Sequence, residues 1–277
     1  MRERGRGAPA RCRLVNILQA QSRSGARRDP RLSPSYKESR LMLSRRAFCA
    51  CASLAFAPSL VSRPARAEEA ACAVMTQTRQ QGMSPDGAIA RLAEGNARFV
   101  AGKTVNCDLM AQVKDTASGQ APFAAIVGCI DSRVPPELVF DQRIGDVFCA
   151  RVAGNFVSTD FLGSLEFATK LAGARAIVVL GHSSCGAIKG AIDRVKLGHL
   201  TSTLAHIDPA VKATKAIGPR NAKNKDFVQA VAENNVRAGV AALTARSRVL
   251  RNLVAAGQLR VAGAMHDLAT GRVTFLT

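Results

Sequence analysis

The sequence predicts an α/β fold, a mostly parallel central β-sheet flanked by helices with an antiparallel strand at one edge. Short apolar runs, most of them rich in β-branched residues, recur at 123–128, 147–152, 176–181 and 259–265, too short for helices and suited to buried strands. Stretches of helical length lie between them, and that alternation implies parallel βαβ units. A hydrophobic content of 47% over 277 residues is ample for a packed core.

In chain order, Ser84-Pro-Asp-Gly opens an amphipathic entry helix over 88–100, with Ile89, Leu92 and Phe99 at helical spacing and Gly102 as its stop. Helices are expected over 160–171 and 185–195, and a longer helical segment over 226–256 should break near 246–248. After the turn Ala269-Thr-Gly271, residues 272–276 return as the antiparallel edge strand. Residues 68–83 read as a polar linker, so one domain spans 84–277, with no internal repeat or low-complexity tract.

The formal charge of +19 would suggest a nucleic-acid or membrane partner if it were spread over the domain. Residues 1–67 alone carry +12 of it, and the surplus of +7 that remains is ordinary for a soluble domain. With no Trp and Tyr36 the one tyrosine, little is available to stack on bases, so no nucleic-acid partner is expected. The basic segment ends in Ser44-Arg-Arg-Ala-Phe-Cys, an apolar run from Ala47 to Val61, and Arg63-Pro-Ala-Arg-Ala67. A basic region, about fifteen mostly apolar residues and a small-x-small site describe an export signal cleaved after Ala67. The paired arginines point to the twin-arginine route and a periplasmic destination. The run falls short of the roughly 20 residues that span a bilayer and is broken by Pro58, so no stable membrane anchor is expected.

Beyond Ala67 the cysteines are Cys72, Cys107, Cys129, Cys149 and Cys185, an odd set without the spacing of a disulfide framework. Whether Cys72, Cys107 or Cys149 pair is open. Cys129 follows the first strand in Cys129-Ile-Asp131-Ser-Arg133, and His182 follows the third in Gly181-His182-Ser-Ser-Cys185-Gly186. Sites in open parallel sheets form beyond the carboxyl ends of strands, so two distant segments deliver two thiolates and one imidazole to one edge. Singly, each would be read as a core cysteine or a hydrogen-bonded histidine. Together they make a three-ligand metal site with an open position, the arrangement of a catalytic zinc. There is no Cys-x-x-Cys to support a redox pair instead.

The paired signatures Cys129-x-Asp131-Ser-Arg133 and His182-x-x-Cys185-Gly186 resemble those of the β-class carbonic anhydrases. The resemblance runs from about Ala88 to Leu276 and includes Gln120-Ala-Pro122, Arg151-Val-Ala-Gly154-Asn155 and Ser164-Leu-Glu166. Val152 and His266 depart from it, standing where the family usually has Asn and Tyr. The resemblance implies one zinc per chain and reversible hydration of carbon dioxide to bicarbonate and a proton by zinc-bound hydroxide. It implies a homodimer, or a higher multiple of dimers, with the site near the interface. It gives Asp131 the hydrogen bond that orients the attacking oxygen, Arg133 the hold on that carboxylate, and Gln120 an amide donor to the substrate. The backbone N–H of Gly186 at a helix start is a further donor. Some relatives close the site with the aspartate as fourth ligand, which here would be Asp131; that subgroup uses a Trp this chain lacks, so an open site is expected. Two thiolates cancel the charge of zinc, so deprotonating water should need neutral to alkaline pH. Rival readings are a carbonyl sulfide or carbon disulfide hydrolase on the same fold, and a non-catalytic zinc protein.

Overall fold

The computed structural model describes residues 72–215 and 218–276; the expected export signal lies outside them. Five strands form one sheet in the order β2-β1-β3-β4-β5, with β1 (Ala124–Gly128), β2 (Val147–Arg151), β3 (Ala176–His182) and β4 (Arg260–His266) parallel and β5 (Val273–Leu276) antiparallel to β4. Every residue of β1 and β3 is buried, as strands covered on both faces must be.

Two apolar layers cover the faces. On one, Ala125, Val127, Ile177 and Val179 pack with Phe227, Val231, Val236 and Leu243 of α9 (Lys225–Arg246), Leu250 and Leu253 of α10 (Arg248–Ala255), and Leu162 and Leu165 of α5 (Thr159–Glu166). On the other, Ile126, Val178, Leu180 and Ala264 pack with Phe123, Phe140 and with Ala88 and Leu92 of α2 (Pro85–Val100). Ser84 caps α2 by accepting the Gly87 N–H, as the Ser-Pro-Asp-Gly start requires. The break expected near 246–248 falls at Ser247, whose hydroxyl accepts the Leu250 N–H and donates to Glu166 Oε1 at 2.6 Å.

Several elements differ from the expectations. Of the stretch 68–83, read as a linker from its polar composition, the described residues 72–83 contain α1 (Gln77–Gln81) and pack onto the domain. Met75 is buried there, and Gln80 Nε2 donates to the carbonyls of Pro122 and Ala172. A buried glutamine reads as polar in composition, which hides the contact. The helix expected over 160–171 is α-helical only to Glu166 and continues as a π-helical turn, Phe167–Leu171. Helix α3 (Leu109–Thr116) was not among the expected elements; its Leu109, Met110 and Val113 lie at helical spacing, but the stripe is exposed and not packed on the core. Three further helices, α4 (Pro136–Val139), α7 (Leu200–Ala205) and α8 (Asp208–Ala213), are too short to show one, and α6 (Gly186–Ile192) is shorter than expected.

Helix α9 lies close on the sheet because two glycines make a notch for Val236. A Cβ on Gly181 would stand 2.6 Å from Val236 Cγ2, and one on Gly263 would stand 2.7 Å from Cγ1. In an ordinary strand Ala is preferred to Gly, yet Gly263→Ala should destabilise the domain by about 1–3 kcal/mol through overpacking. A lower urea midpoint with unchanged m-value is the expected result.

Candidate metal centre

The strand order decides what meets at the carboxyl edge. β1 and β3 are neighbours in the sheet, with Gly128 opposite Leu180, so the residues that leave them emerge side by side. Cys129 follows β1 directly, His182 ends β3, and Cys185 is the N-cap of α6. Their ligand atoms all lie within 4.8 Å of one another, and all three side chains are buried. A second histidine, His266, ends β4 opposite His182 but is not part of this cluster.

The donor set fits a zinc ion. The two sulfurs are 4.0 Å apart, close to the ~3.8 Å edge of a tetrahedron with Zn–S bonds of about 2.3 Å. His182 Nδ1 lies 3.0 Å from the Ser183 carbonyl, an arrangement that places the proton on Nδ1 and leaves a lone pair on Nε2. That Nε2 is buried without a hydrogen-bond partner, which a metal bond would satisfy. Donation from the Cys185 thiol is the main cause that lowers the Cys129 pKa, against burial, with His182 and the Gly154 N–H adding to it. The same contact, with burial, pushes Cys185 far up. The pair thus shares one proton when alone, and a second buried thiolate requires a cation.

Backbone donors prepare the sulfurs for charge. The Gly154 N–H donates to Cys129 Sγ at 3.4 Å, and N–H groups of Ala187 and Ile188 in the first turn of α6 favour the Cys185 thiolate. Gly154 can do this because it turns the chain at φ +85 directly beneath Ile207, where a Cβ would lie 2.5 Å from Cδ1. Gly186 opens α6 with open space above it.

Asp131 stands beside the cluster with Oδ2 at 3.9 Å from His182 Nε2. Arg133 grips it in a fork, Nε to Oδ1 at 2.9 Å and Nη2 to Oδ2 at 2.7 Å, and the Arg133 N–H adds a bond of 3.0 Å to Oδ1. These bonds hold the Asp131 carboxyl well below the usual carboxylate range although burial opposes them. Sequence reasoning named Arg151 and Gly154 without a role. Arg151, at the end of β2, donates to the carbonyls of Cys129 (2.8 Å) and Asp131 (2.7 Å), and so fixes the backbone that presents both residues. The Gly-Asn pair after a predicted strand was the available signal for a tight turn there.

Gln120 is not brought to this cluster within the chain. It precedes the amino end of β1 while Cys129 lies beyond the carboxyl end, and five residues of strand span about 16 Å. Of the two departures from the family, Val152 donates its N–H to Gly128 O, and His266 is buried with neither ring nitrogen hydrogen-bonded. Burial, chiefly, lowers the His266 pKa. Cys149 is unpaired, and burial pushes its thiol up, so it stays protonated. Cys72 and Cys107, left open by the sequence, form a disulfide.

Residues 124–273 match the family model described as carbonic anhydrase. Carbonic anhydrase 2 of Mycobacterium tuberculosis is 36% identical over 191 residues, covering 68% of this chain and 91% of that protein. A Coccomyxa β-carbonic anhydrase, solved in complex with acetazolamide, superposes with a TM-score of 0.54 at 31% identity, over 60% of this chain and 77% of that one. One of two tetrameric β-carbonic anhydrases from Sordaria macrospora gives a TM-score of 0.51 at 28% identity, over 60% and 90%. With the parallel sheet, the Cys-His-Cys cluster at its carboxyl edge and these likenesses in agreement, the chain belongs to the β-class of the carbonic anhydrase family.

Proposed function

We propose that the protein catalyses the reversible hydration of carbon dioxide to bicarbonate and a proton at one zinc per chain, held by Cys129, His182 and Cys185. The observation that carries this reading is the buried two-sulfur, one-imidazole cluster with the Asp131–Arg133 pair against it. Zinc bound there would supply the Lewis acidity that makes water a nucleophile near neutral pH.

The chain's own residues orient the reaction. Asp131 Oδ2 accepts a hydrogen bond from the attacking oxygen and so fixes the direction of its lone pair. Arg133 keeps Asp131 charged and, by occupying both carboxylate oxygens, keeps it from swinging onto the metal; that engagement supports an open site. The Gly186 N–H, the first of α6, is a backbone donor available where charge develops on the substrate.

Gln120 serves as an amide donor only if a second copy supplies it. β2 is the outer strand of the sheet on its side, and an apolar groove lined by Phe148, Phe161, Leu165 and Phe167 runs alongside. A two-fold axis that pairs this edge with its copy sets the two sheets antiparallel. The amino end of the partner's β1 then lies on the same side as the carboxyl end of this chain's β1. These features support a homodimer whose sites are each completed by the other chain.

Export to the periplasm by the twin-arginine route is supported by the composition of residues 1–67 and by the Cys72–Cys107 disulfide, a bond of oxidising compartments. Among the described residues no helix is long and apolar enough to cross a membrane.

Stopped-flow hydration assays across pH 6.5–9 should show activity rising with pH, and Cys185→Ala should abolish both activity and stoichiometric zinc. A zinc-replete wild type that does not hydrate carbon dioxide sinks the proposal. Asp131, with its folded pKa depressed, is charged above the ordinary carboxylate pKa, and its contribution is lost only as pH falls through the lower folded value. The decline in activity towards pH 6.5 therefore does not come from Asp131. In Arg133→Ala the Asp131 pKa should return upward, and kcat/KM at pH 8 should fall on the order of 100-fold with zinc retained. Gln120→Ala should lose about 10-fold or more. Mixing and re-associating Gln120→Ala with Cys185→Ala chains should restore activity, because the hybrid pairs an intact metal cluster with a partner's Gln120. No gain on mixing would place Gln120 outside the partner's site.

A further inference from the structure

The Cys72–Cys107 bridge spans 35 positions and joins two arms that grip the same turn. The first arm is the segment before α2. Its buried Met75 donates its N–H to Asp146 Oδ1 at 3.0 Å. The second arm is the segment from Val105 through α3. Val105 N–H donates to Asp141 Oδ1, buried Gln112 accepts the Ile144 N–H at 3.0 Å through Oε1, and the Thr116 methyl closes on Gly145, 2.9 Å from where a Cβ would stand. Residues 141–146, the turn that launches β2, are thus held from both sides. Asp146, fully buried, also takes Arg91 Nη2 and the Arg143 N–H on Oδ2.

Little else fastens the second arm. Leu109 and Met110 are each 62% exposed, so α3 buries little apolar surface and its local opening is cheap. The strand launched from the turn is the sheet's outer one, paired with β1 alone. At its far end Arg151 holds the carbonyls of Cys129 and Asp131. Both bridge residues are partly exposed, so a reductant in solution reaches the bridge.

We propose that the Cys72–Cys107 bridge is a redox-operated clasp on the launch of β2. Oxidised, it closes the two arms around residues 141–146. A dithiol reductant gives up two electrons and two protons, becoming a disulfide, and leaves Cys72 and Cys107 as thiols; the arms then part and β2 opens from its amino end. The clasp does not depend on which reaction the site performs.

Peptide mapping of the zinc-loaded full chain under non-reducing conditions should find Cys72 linked to Cys107. Amide exchange and thermal melting are then compared for wild type, Cys72→Ser, Cys107→Ser and the double variant. Exchange over 144–149 should rise about 10-fold or more in all three variants. The melting temperature should fall by about 5–10 °C, to the same extent in singles and double, because either change removes the same bond. Activity at 25 °C should stay within about twofold of wild type. Mild dithiol treatment of the wild type, titrated to two new thiols per chain with zinc content checked, should give the same rise in exchange and reverse on reoxidation; this arm holds even if a variant folds poorly. Unlinked cysteines in the map, unchanged exchange at 144–149 with loosening confined to 72–83, or a double variant that loses twice what a single loses would each overturn the clasp.

Discussion

Two thiols and an imidazole buried together at one edge of the sheet are a standing electrostatic demand, and most of the architecture answers it. Cys129 and Cys185, with sulfurs 4.0 Å apart, share a single proton when alone, and burying the second charge requires a divalent cation and donors around it. The parallel pairing of β1 with β3 brings the ligands together from positions separated by 56 residues. Backbone N–H groups of Gly154, Ala187 and Ile188 then stabilise the sulfurs, and the Ser183 carbonyl sets the tautomer of His182.

The same edge carries a second charge pair with a different task. Asp131 and Arg133 are two residues apart on one turn, so their fork is local, but its distance from His182 is set by β1 and β3. Arg151 ties this turn to β2, and β2 in turn begins at the turn clasped by the disulfide arms. Mechanical support for the site therefore passes through the sheet's outer strand. That strand is also the exposed edge of the sheet beside the apolar groove of Phe148, Phe161, Leu165 and Phe167.

Much of this was legible from residues in order. The strands over 123–128 and 176–181 announced themselves because segments buried on both faces must be continuously apolar, those over 147–152 and 259–265, only partly buried, as short apolar runs, and the break at Ser247 because it falls in the Arg246–Arg248 interruption of a long helical pattern. The metal-ligand candidates were legible because Cys129 and His182 each stand at a strand end. Less accessible was what depends on direction: α3 with its apolar residues turned outward, the strap around Gln80, the Gly154 N–H aimed at sulfur, and Arg151 reaching back to two carbonyls.

By itself, then, the sequence determined the fold class, the family and the donor atoms on offer, since periodicity, strand length and ligand chemistry are properties of short stretches. Only the tertiary structure decided that Cys72 pairs with Cys107, that Gln120 stands a strand's length from Cys129 in its own chain, and that Arg151 and Gly154 support the cluster. These are relations between segments far apart along the chain, and their distances exist only once strand order and register have been set.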